Sequence, residues 1–275
     1  MTFRIVQISD THLSDDKPFF VDNFVRIGEA LRASGPDLML NTGDISLDGT
    51  SNDSDLAAAR ALHDGLGLPM RFLPGNHDLG DNQDAPAHGE GAIDTDRRAR
   101  YLSHFGADWW VLDVPGWRLL GVNAQLLGSD LEAAKHQERD VAAAIASLGS
   151  RRLALFIHKP LFDRTADETA ITGRFINPVP RRMLLMSLNG VVPALVACGH
   201  VHQYRETWSA GVHHVWGTST AFVIPDARQP RYGIKEVGYV EHLLEVDGSH
   251  ESRLMRVPGV PTLDIAEFPA AYSPT

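Results

Sequence analysis

Phe3-Arg4-Ile5-Val6-Gln7-Ile8-Ser9-Asp10-Thr11-His12 is the stretch on which the reading of this chain turns. A short apolar run stops abruptly at an acid and an imidazole, the pattern of a buried strand whose end carries chemistry. The layout recurs downstream. Asp37-Leu38-Met39-Leu40-Asn41 leads into Gly43-Asp44, and Met70-Arg71-Phe72-Leu73 leads into Pro74-Gly75-Asn76-His77-Asp78. Leu153-Ala154-Leu155-Phe156-Ile157 delivers His158, and the run over 191–197 delivers Gly199-His200-Val201-His202. Between the first of these runs, residues 22–33 place Phe24, Val25, Ile27 and Leu31 at helical spacing and end at Gly35-Pro36. An alanine-rich helix is expected over 53–64. This βαβαβ rhythm implies a parallel sheet, in which loops at the carboxyl ends of the strands share one edge. Side chains far apart in sequence converge there.

Further along, residues 80–96 have little periodicity and are rich in acids (Asp81, Asp84, Glu90, Asp94, Asp96). They read as a long loop over that edge, either a lid or a solvated insertion. Strands are expected at 109–114 and 117–123, joined through Pro115-Gly116, followed by helices over 130–148 and near 180–188. The alternating runs 204–208, 213–216, 238–246 and 252–257 read as antiparallel strands. Parallel units in front and hairpins behind give an α/β fold of two packed mixed sheets with helices outside. The expected organisation is a single domain over 1–257 and an irregular proline-rich arm over 258–275, able to embrace a second copy in a homo-oligomer.

Composition narrows the function. With 275 residues, 43% of them hydrophobic and 22% charged, the chain resembles ordinary soluble globular proteins. A formal net charge of −10 argues against a long nucleic acid as partner, since such binders show a basic stripe. Arg97-Arg98, Arg151-Arg152 and Arg181-Arg182 are isolated pairs at expected helix or strand starts. The one cysteine, Cys198, excludes a disulfide framework and a CxxC zinc site, and its apolar setting reads as an inert thiol. The opening residues enter a strand at once, without the layout of a signal peptide, so a cytoplasmic setting is expected. The longest uncharged stretch, 183–199, contains Asn189-Gly190 and Pro193 and reads as helix end, turn and strand rather than a membrane span.

The polar blocks offer oxygen and nitrogen donors without thiolate, a set suited to two adjacent hard-to-borderline metal ions. Asp10 and His12 straddle a strand end and can turn onto one ion. Asp44 follows a glycine, and its two oxygens make it the candidate bridge. Asn76 offers an amide oxygen, and His158, His200 and His202 offer ring nitrogens. Two such ions activate water against a phosphate ester, and their surplus positive charge draws an anionic phosphoryl group. His77 adjoins Asn76 but can point elsewhere, toward the leaving-group oxygen, which it would protonate as imidazolium. Asp78 is expected to hold its other ring nitrogen. Lys159, just before Pro160, reads as solvent-facing, with reach to a substrate phosphate as the alternative. Arg164 and Arg174 are candidate phosphate contacts, Arg174 more readily a surface ion pair. Gly217-Thr218-Ser219-Thr220-Ala221 loosely resembles a nucleophile elbow, but strand-like Phe222-Val223-Ile224-Pro225 follows where a helix is needed, so it reads as a turn or a wall of the metal site. No GxxxxGK[ST], HExxH or complete GxGxxG occurs.

Taken in order, these blocks resemble the signature of the calcineurin-like metallophosphoesterases, over residues 3 to about 217. The chain looks most similar to the bacterial branch that includes cyclic-nucleotide and glycerophosphodiester phosphodiesterases. The resemblance implies a four-layer α/β/β/α sandwich with the metal site at the carboxyl ends of the strands, and a dinuclear centre of manganese, iron or zinc. It implies that Asp10, His12, Asp44 and His202 hold one ion, and that Asp44, Asn76, His158 and His200 hold the other. His77 becomes the catalytic histidine, with Asn76 and Asp78 beside it. The expected activity is hydrolysis of a small phosphodiester by a hydroxide bridging the ions. A phosphomonoesterase or pyrophosphate-cleaving enzyme on the same centre is the alternative. A non-catalytic metal-binding scaffold would be expected to lose ligands that this chain keeps. Lys159 departs from the branch, whose members often carry a second histidine there; the metal ligands are unaffected.

Overall fold

The computed structural model describes residues 1–84 and 90–272. In chain order the elements are β1 (Thr2–Ile8), α1 (Val21–Ser34), β2 (Leu38–Asn41), α2 (Asp53–Asp64), β3 (Met70–Phe72), α3 (Asn76–Leu79) and α4 (Thr95–Phe105). A second series follows: β4 (Trp110–Val114), β5 (Trp117–Val122), α5 (Glu132–Ala146), β6 (Arg152–Ile157), α6 (Pro178–Ser187) and β7 (Leu195–Cys198). The chain then runs through β8 (Arg205–Ser209), β9 (Val212–Trp216), β10 (Phe222–Val223), β11 (Tyr239–Glu245), β12 (His250–Met255) and β13 (Leu263–Asp264). One sheet has the order β12-β11-β1-β2-β3, the other β4-β5-β6-β7-β9-β8, and β10 pairs with β13. β1, β2 and β3 are mutually parallel, as are β5, β6, β7 and β9; β4, β8, β11 and β12 pair antiparallel.

Strand parity builds the layers. Successive side chains of a strand point to opposite faces, so a continuous apolar run serves two cores at once. In the first sheet, Ile5, Leu38 and Leu40 face inward against the second sheet, whereas Val6, Ile8 and Met39 face outward onto Phe24, Ile27 and Leu31 of α1 and Leu56 of α2. In the second sheet, Ala154, Phe156, Leu195 and Ala197 meet the first, whereas Leu153, Leu155, Ile157 and Val196 pack on Val141 and Ile145 of α5 and Leu184 of α6. Helix, sheet, sheet and helix are therefore stacked as four layers, the expected sandwich. Among the described residues no helix is long and apolar enough to cross a membrane.

A polar network lies between the sheets. The Gln7 amide nitrogen donates to Thr42 Oγ1 (2.9 Å) and to the Cys198 carbonyl oxygen (3.0 Å), which ties β1 to the opposite sheet. Its amide oxygen lies 2.9 Å from His242 Nε2, and His242 Nδ1 lies 2.8 Å from Ser252 Oγ. An amide oxygen only accepts, so Nε2 carries the proton and the serine hydroxyl donates to Nδ1. His242 is thus satisfied as a neutral ring.

Two segments differ from the sequence expectation. Residues 80–96 are not loop throughout: α4 begins at Thr95, where the Asp94 carboxylate accepts from the Arg97 backbone N–H at 2.8 Å. Tyr101 and Phe105, one helical turn apart, are the buried residues of α4, and Leu102 packs beside them. The centre of the expected lid, 85–89, lies outside the described residues. The proline-rich tail also has structure. β13 lies parallel to β10, and Ile265 and Ala271 pack with Phe20, Leu47 and Phe222 of the same chain. As far as Tyr272 the arm embraces its own chain.

Burial, with His213 and His250 nearby, pushes His242 down to about 3. Unfolding restores an ordinary value near 6.5, so the unfolded chain takes up the proton first. The stability contributed by a neutral His242 is complete above about pH 6.5 and drains away as the pH falls toward about 3. Between pH 6 and pH 4 the unfolding free energy should fall by about 1.4 kcal/mol per pH unit more in the wild type than in His242→Gln. Urea titrations in chelator at several pH values measure the difference; parallel profiles would show that His242 is not held neutral.

Candidate metal centre

The strand ends are laced together by backbone bonds. Asp10 N–H donates to the Gly43 carbonyl (2.8 Å), His12 N–H to Asp44 (3.0 Å), and Gly199 N–H to His158 (2.8 Å). The two sheets meet where the His200 N–H points at the Asp10 carboxylate, 3.0 Å from Oδ2. Asp10, His12, Asp44, His200 and His202 all adopt positive φ, between 42° and 67°, which non-glycine residues adopt only under constraint. That conformation turns each side chain back over the strand end and into the cleft. Glycine at position 75 makes room for this arrangement, since a Cβ there would collide with the Asp44 carboxylate.

The rings are oriented from behind. His158 Nδ1 lies 2.9 Å from the Thr42 carbonyl, His202 Nδ1 2.9 Å from that of Phe222, and His200 Nε2 3.0 Å from that of Gly173. A carbonyl can only accept, so each of these nitrogens carries the proton and the other presents a lone pair. Those inner nitrogens crowd together: His200 Nδ1 is 3.1 Å from His158 Nε2, and His12 Nε2 is 3.3 Å from His202 Nε2. Facing lone pairs repel unless a proton or a metal cation lies between them. The ligand atoms of Asp10, His12 and His202 fall within 4.8 Å of one another, and so do those of Asp44, His158 and His200. Asp44 also groups with His12 and His77, so it stands between the two sets. The Asn76 amide oxygen lies 3.3 Å from His158 Nε2. Every sequence-nominated ligand thus reaches one cleft, and the donors fit two cations.

The electrostatics also favour positive charge. Burial alone would lower the His158 imidazole, but the Asp44 and Asp10 carboxylates outweigh it and push it up to about 9. Burial would likewise raise Asp44, yet His158 and His77 hold it well below the usual carboxylate range. Burial and the neighbouring His77 hold His12 well below its ordinary value; burial and His158 do the same to His200.

His77 occupies the first turn of α3. Its backbone N–H donates to Asp44 Oδ1 (2.9 Å), its Nδ1 faces the Leu47 carbonyl (3.0 Å), and its Nε2 faces Glu90 Oε1 (3.3 Å). Burial lowers its pKa, but Asp44, Glu90 and the Leu47 carbonyl more than compensate, and the net shift is upward. The expected Asp78 contact does not form. The Asp78 carboxylate accepts from the backbone N–H of Gly75 (2.8 Å), Ile45 (3.1 Å) and Ser46 (2.8 Å) and from Ser46 Oγ (2.7 Å). Adjacent residues on a helical turn diverge, so Asp78 clamps the Asp44 loop while His77 faces the cleft. Lys159 also departs from expectation. It is fully buried, not solvent-facing, and pairs with the Asp81 carboxylate. The adjoining Pro160 gives no sign of this, and only the pairing with buried Asp81 reveals it.

A cavity of about 340 Å³ opens over the centre, walled by Phe222, Ile224, Ile265, Arg174, Arg228 and Tyr272. Arg174 has no ion pair among the described residues, contrary to its reading as a surface pair. Arg228, Glu90 and Tyr272 were not nominated from sequence, since none lies in a motif or a periodic element. The Ser219 hydroxyl donates to the Asp10 carbonyl (2.8 Å) and accepts from the Ala221 N–H (2.9 Å), so it braces the wall.

A model of the calcineurin-like phosphoesterase family matches residues 3–204. The chain belongs to the calcineurin-like phosphoesterase family. It is therefore a phosphoric ester hydrolase by class. It is 26% identical over 214 residues to a probable cyclic nucleotide phosphodiesterase of Pseudoalteromonas sp. (strain SM9913), a match covering 74% of each chain. It is 27% identical over 213 residues to a 3',5'-cyclic adenosine monophosphate phosphodiesterase of Pseudomonas aeruginosa, covering 72% of this chain and 69% of that protein. In fold it resembles a dimetal phosphatase from Danio rerio, at 13% identity and a TM-score of 0.63, over 92% of this phosphoesterase and 96% of that chain.

The Lys159–Asp81 pair is buried on both sides, so removing one partner strands a charge. Asp81→Ala should cost about 3–5 kcal/mol of stability, and the double variant Asp81→Ala with Lys159→Met should recover much of it. Denaturant unfolding of the metal-free protein checks both; a near-neutral Asp81→Ala would mean that the ammonium finds water.

Proposed function

We propose that this chain hydrolyses a small phosphodiester at a dinuclear metal centre. Asp10, His12, Asp44 and His202 hold one ion, and Asp44, Asn76, His158 and His200 hold the other. The observation that carries the reading is Asp44, placed between two sets of inward-facing donors. Two ions held there supply an activated water and positive charge for the phosphoryl oxygens. Manganese, iron and zinc all suit this mixture of imidazole, carboxylate and amide donors.

The chain's own residues do the remaining work. The carbonyls behind His158, His200 and His202 keep their inner nitrogens turned to the cleft, so the rings are oriented before anything binds. The His77 N–H fixes the orientation of the Asp44 carboxylate. The His77 ring, its Nδ1 proton committed to Leu47, presents Nε2 to the cavity, from which a proton can pass to the departing alkoxide. The upward shift of its pKa keeps that proton in place near neutrality. Glu90, beside Nε2, reinforces the charged form.

The diester preference rests on the relatives' names, both of them phosphodiesterases. One observation favours a more highly charged substrate, a monoester or a pyrophosphate: Arg174 and Arg228 both face the cavity without an ion-pair partner among the described residues.

Purified protein loaded with manganese should hydrolyse bis-p-nitrophenyl phosphate faster than p-nitrophenyl phosphate; the reverse order would favour the monoesterase, and no turnover with manganese, iron, zinc or cobalt would end the proposal. Asp44→Ala should lose both ions by elemental analysis, and retention of either ion would remove Asp44 as the bridge. His77→Ala should keep its metals and lose ~10²–10⁴ in kcat on an alkyl ester, with a smaller loss on a p-nitrophenyl ester, whose leaving group needs less protonation. Equal losses on both would remove His77 from the general-acid role.

A further inference from the structure

We infer that Tyr272, carried on the C-terminal arm, is a positioning residue for His12 and governs how tightly one of the two metal ions is held. The inference rests on the metal-centre reading above. His158, His200 and His202 each have a backbone carbonyl behind the ring. At His12 the partner is a side chain: Tyr272 Oη lies 3.2 Å from Nδ1. His12 Nε2 must present a lone pair toward His202 and Asp10, so Nδ1 carries the proton and donates to the phenol oxygen. The phenol thus does for His12 what a carbonyl does for the other three, fixing the tautomer and the plane of the ring.

The aromatic packing serves the same end. Phe222 lies against the His12 ring, centroids 4.9 Å apart, and Tyr272 meets it edge-on at 6.2 Å and 82°. The tyrosine ring also sits 5.3 Å from that of His77. Its backbone is not left to chance. β13 pairs with β10, and Ile265 and Ala271 are buried against Phe20 and Phe222, so the arm is anchored just before Tyr272. The contact spans 260 residues of sequence and enters on a segment outside the matched family region, which ends at 204.

The consequence is an asymmetry. Losing a partner behind a ligand histidine typically weakens metal binding about 10–100-fold, and here the loss should fall on the ion of Asp10, His12 and His202, sparing the other. Competition titrations of Zn²⁺ against a chromophoric chelator test this on the full chain. Tyr272→Phe keeps the ring and removes the hydroxyl at a half-buried position, so folding should survive; circular dichroism and the Tm of the metal-free protein check it. The wild type should bind two zinc ions, and Tyr272→Phe should bind one with unchanged Kd and the other about 10-fold more weakly or worse. In a His200→Ala background, which leaves the His12 side intact, Tyr272→Phe should weaken the remaining ion; in a His202→Ala background it should not. Unchanged affinity for both ions, or equal weakening of both, would overturn the inference and leave the metal-centre reading standing. A wild type that binds no zinc would overturn both.

Discussion

The centre depends on ring nitrogens that are hydrogen-bonded from the side facing away from the cleft. An imidazole has one proton to place when neutral, and a carbonyl behind Nδ1 or Nε2 decides where it goes. With Thr42, Gly173 and Phe222 in those positions, the inner nitrogens of His158, His200 and His202 are aimed into the cleft before any cation arrives. The rest of the fold can be understood as holding these carbonyls and rings in register. Parallel strands bring their carboxyl ends to one edge. Gln7 ties β1 to β7 through Thr42 and the Cys198 carbonyl, so Asp10 and His200, on different sheets, stay close enough for the His200 N–H to meet the Asp10 carboxylate.

Charge follows the same plan. The chain is acidic overall, but around the centre the buried carboxylates have histidines as near neighbours. Lys159, the ammonium closest in sequence to a ligand, is neutralised by Asp81 instead of facing the cleft. Asp78, beside the general-acid candidate, is spent on backbone N–H groups that shape the Asp44 loop. The cleft therefore keeps an unmet demand for positive charge, which in isolation draws a proton onto His158.

Much of this was legible in the sequence because it is written locally. Apolar runs that end in Asp, His or Asn need only their own neighbours to be read as strand ends, and parity within runs such as 153–157 already implies a sheet buried on both faces. What stayed hidden is non-local. Nothing near Lys159 signals its burial, because its partner lies 78 residues away. The direction in which Asp78 points depends on α3 being a helical turn rather than an open loop. Tyr272 sits in a proline-punctuated segment whose course is set by Phe20, Leu47 and Phe222, none of them near it in sequence.

The left-handed backbone at Asp10, His12, Asp44, His200 and His202 has an evolutionary implication. Each such residue carries a conformational penalty of roughly 1–2 kcal/mol that glycine would relieve. Drift under selection for folding alone would tend to erode these positions toward glycine or asparagine, one substitution at a time. The five side chains therefore stand at a cost to the robustness of the fold that glycine at the same positions would not carry.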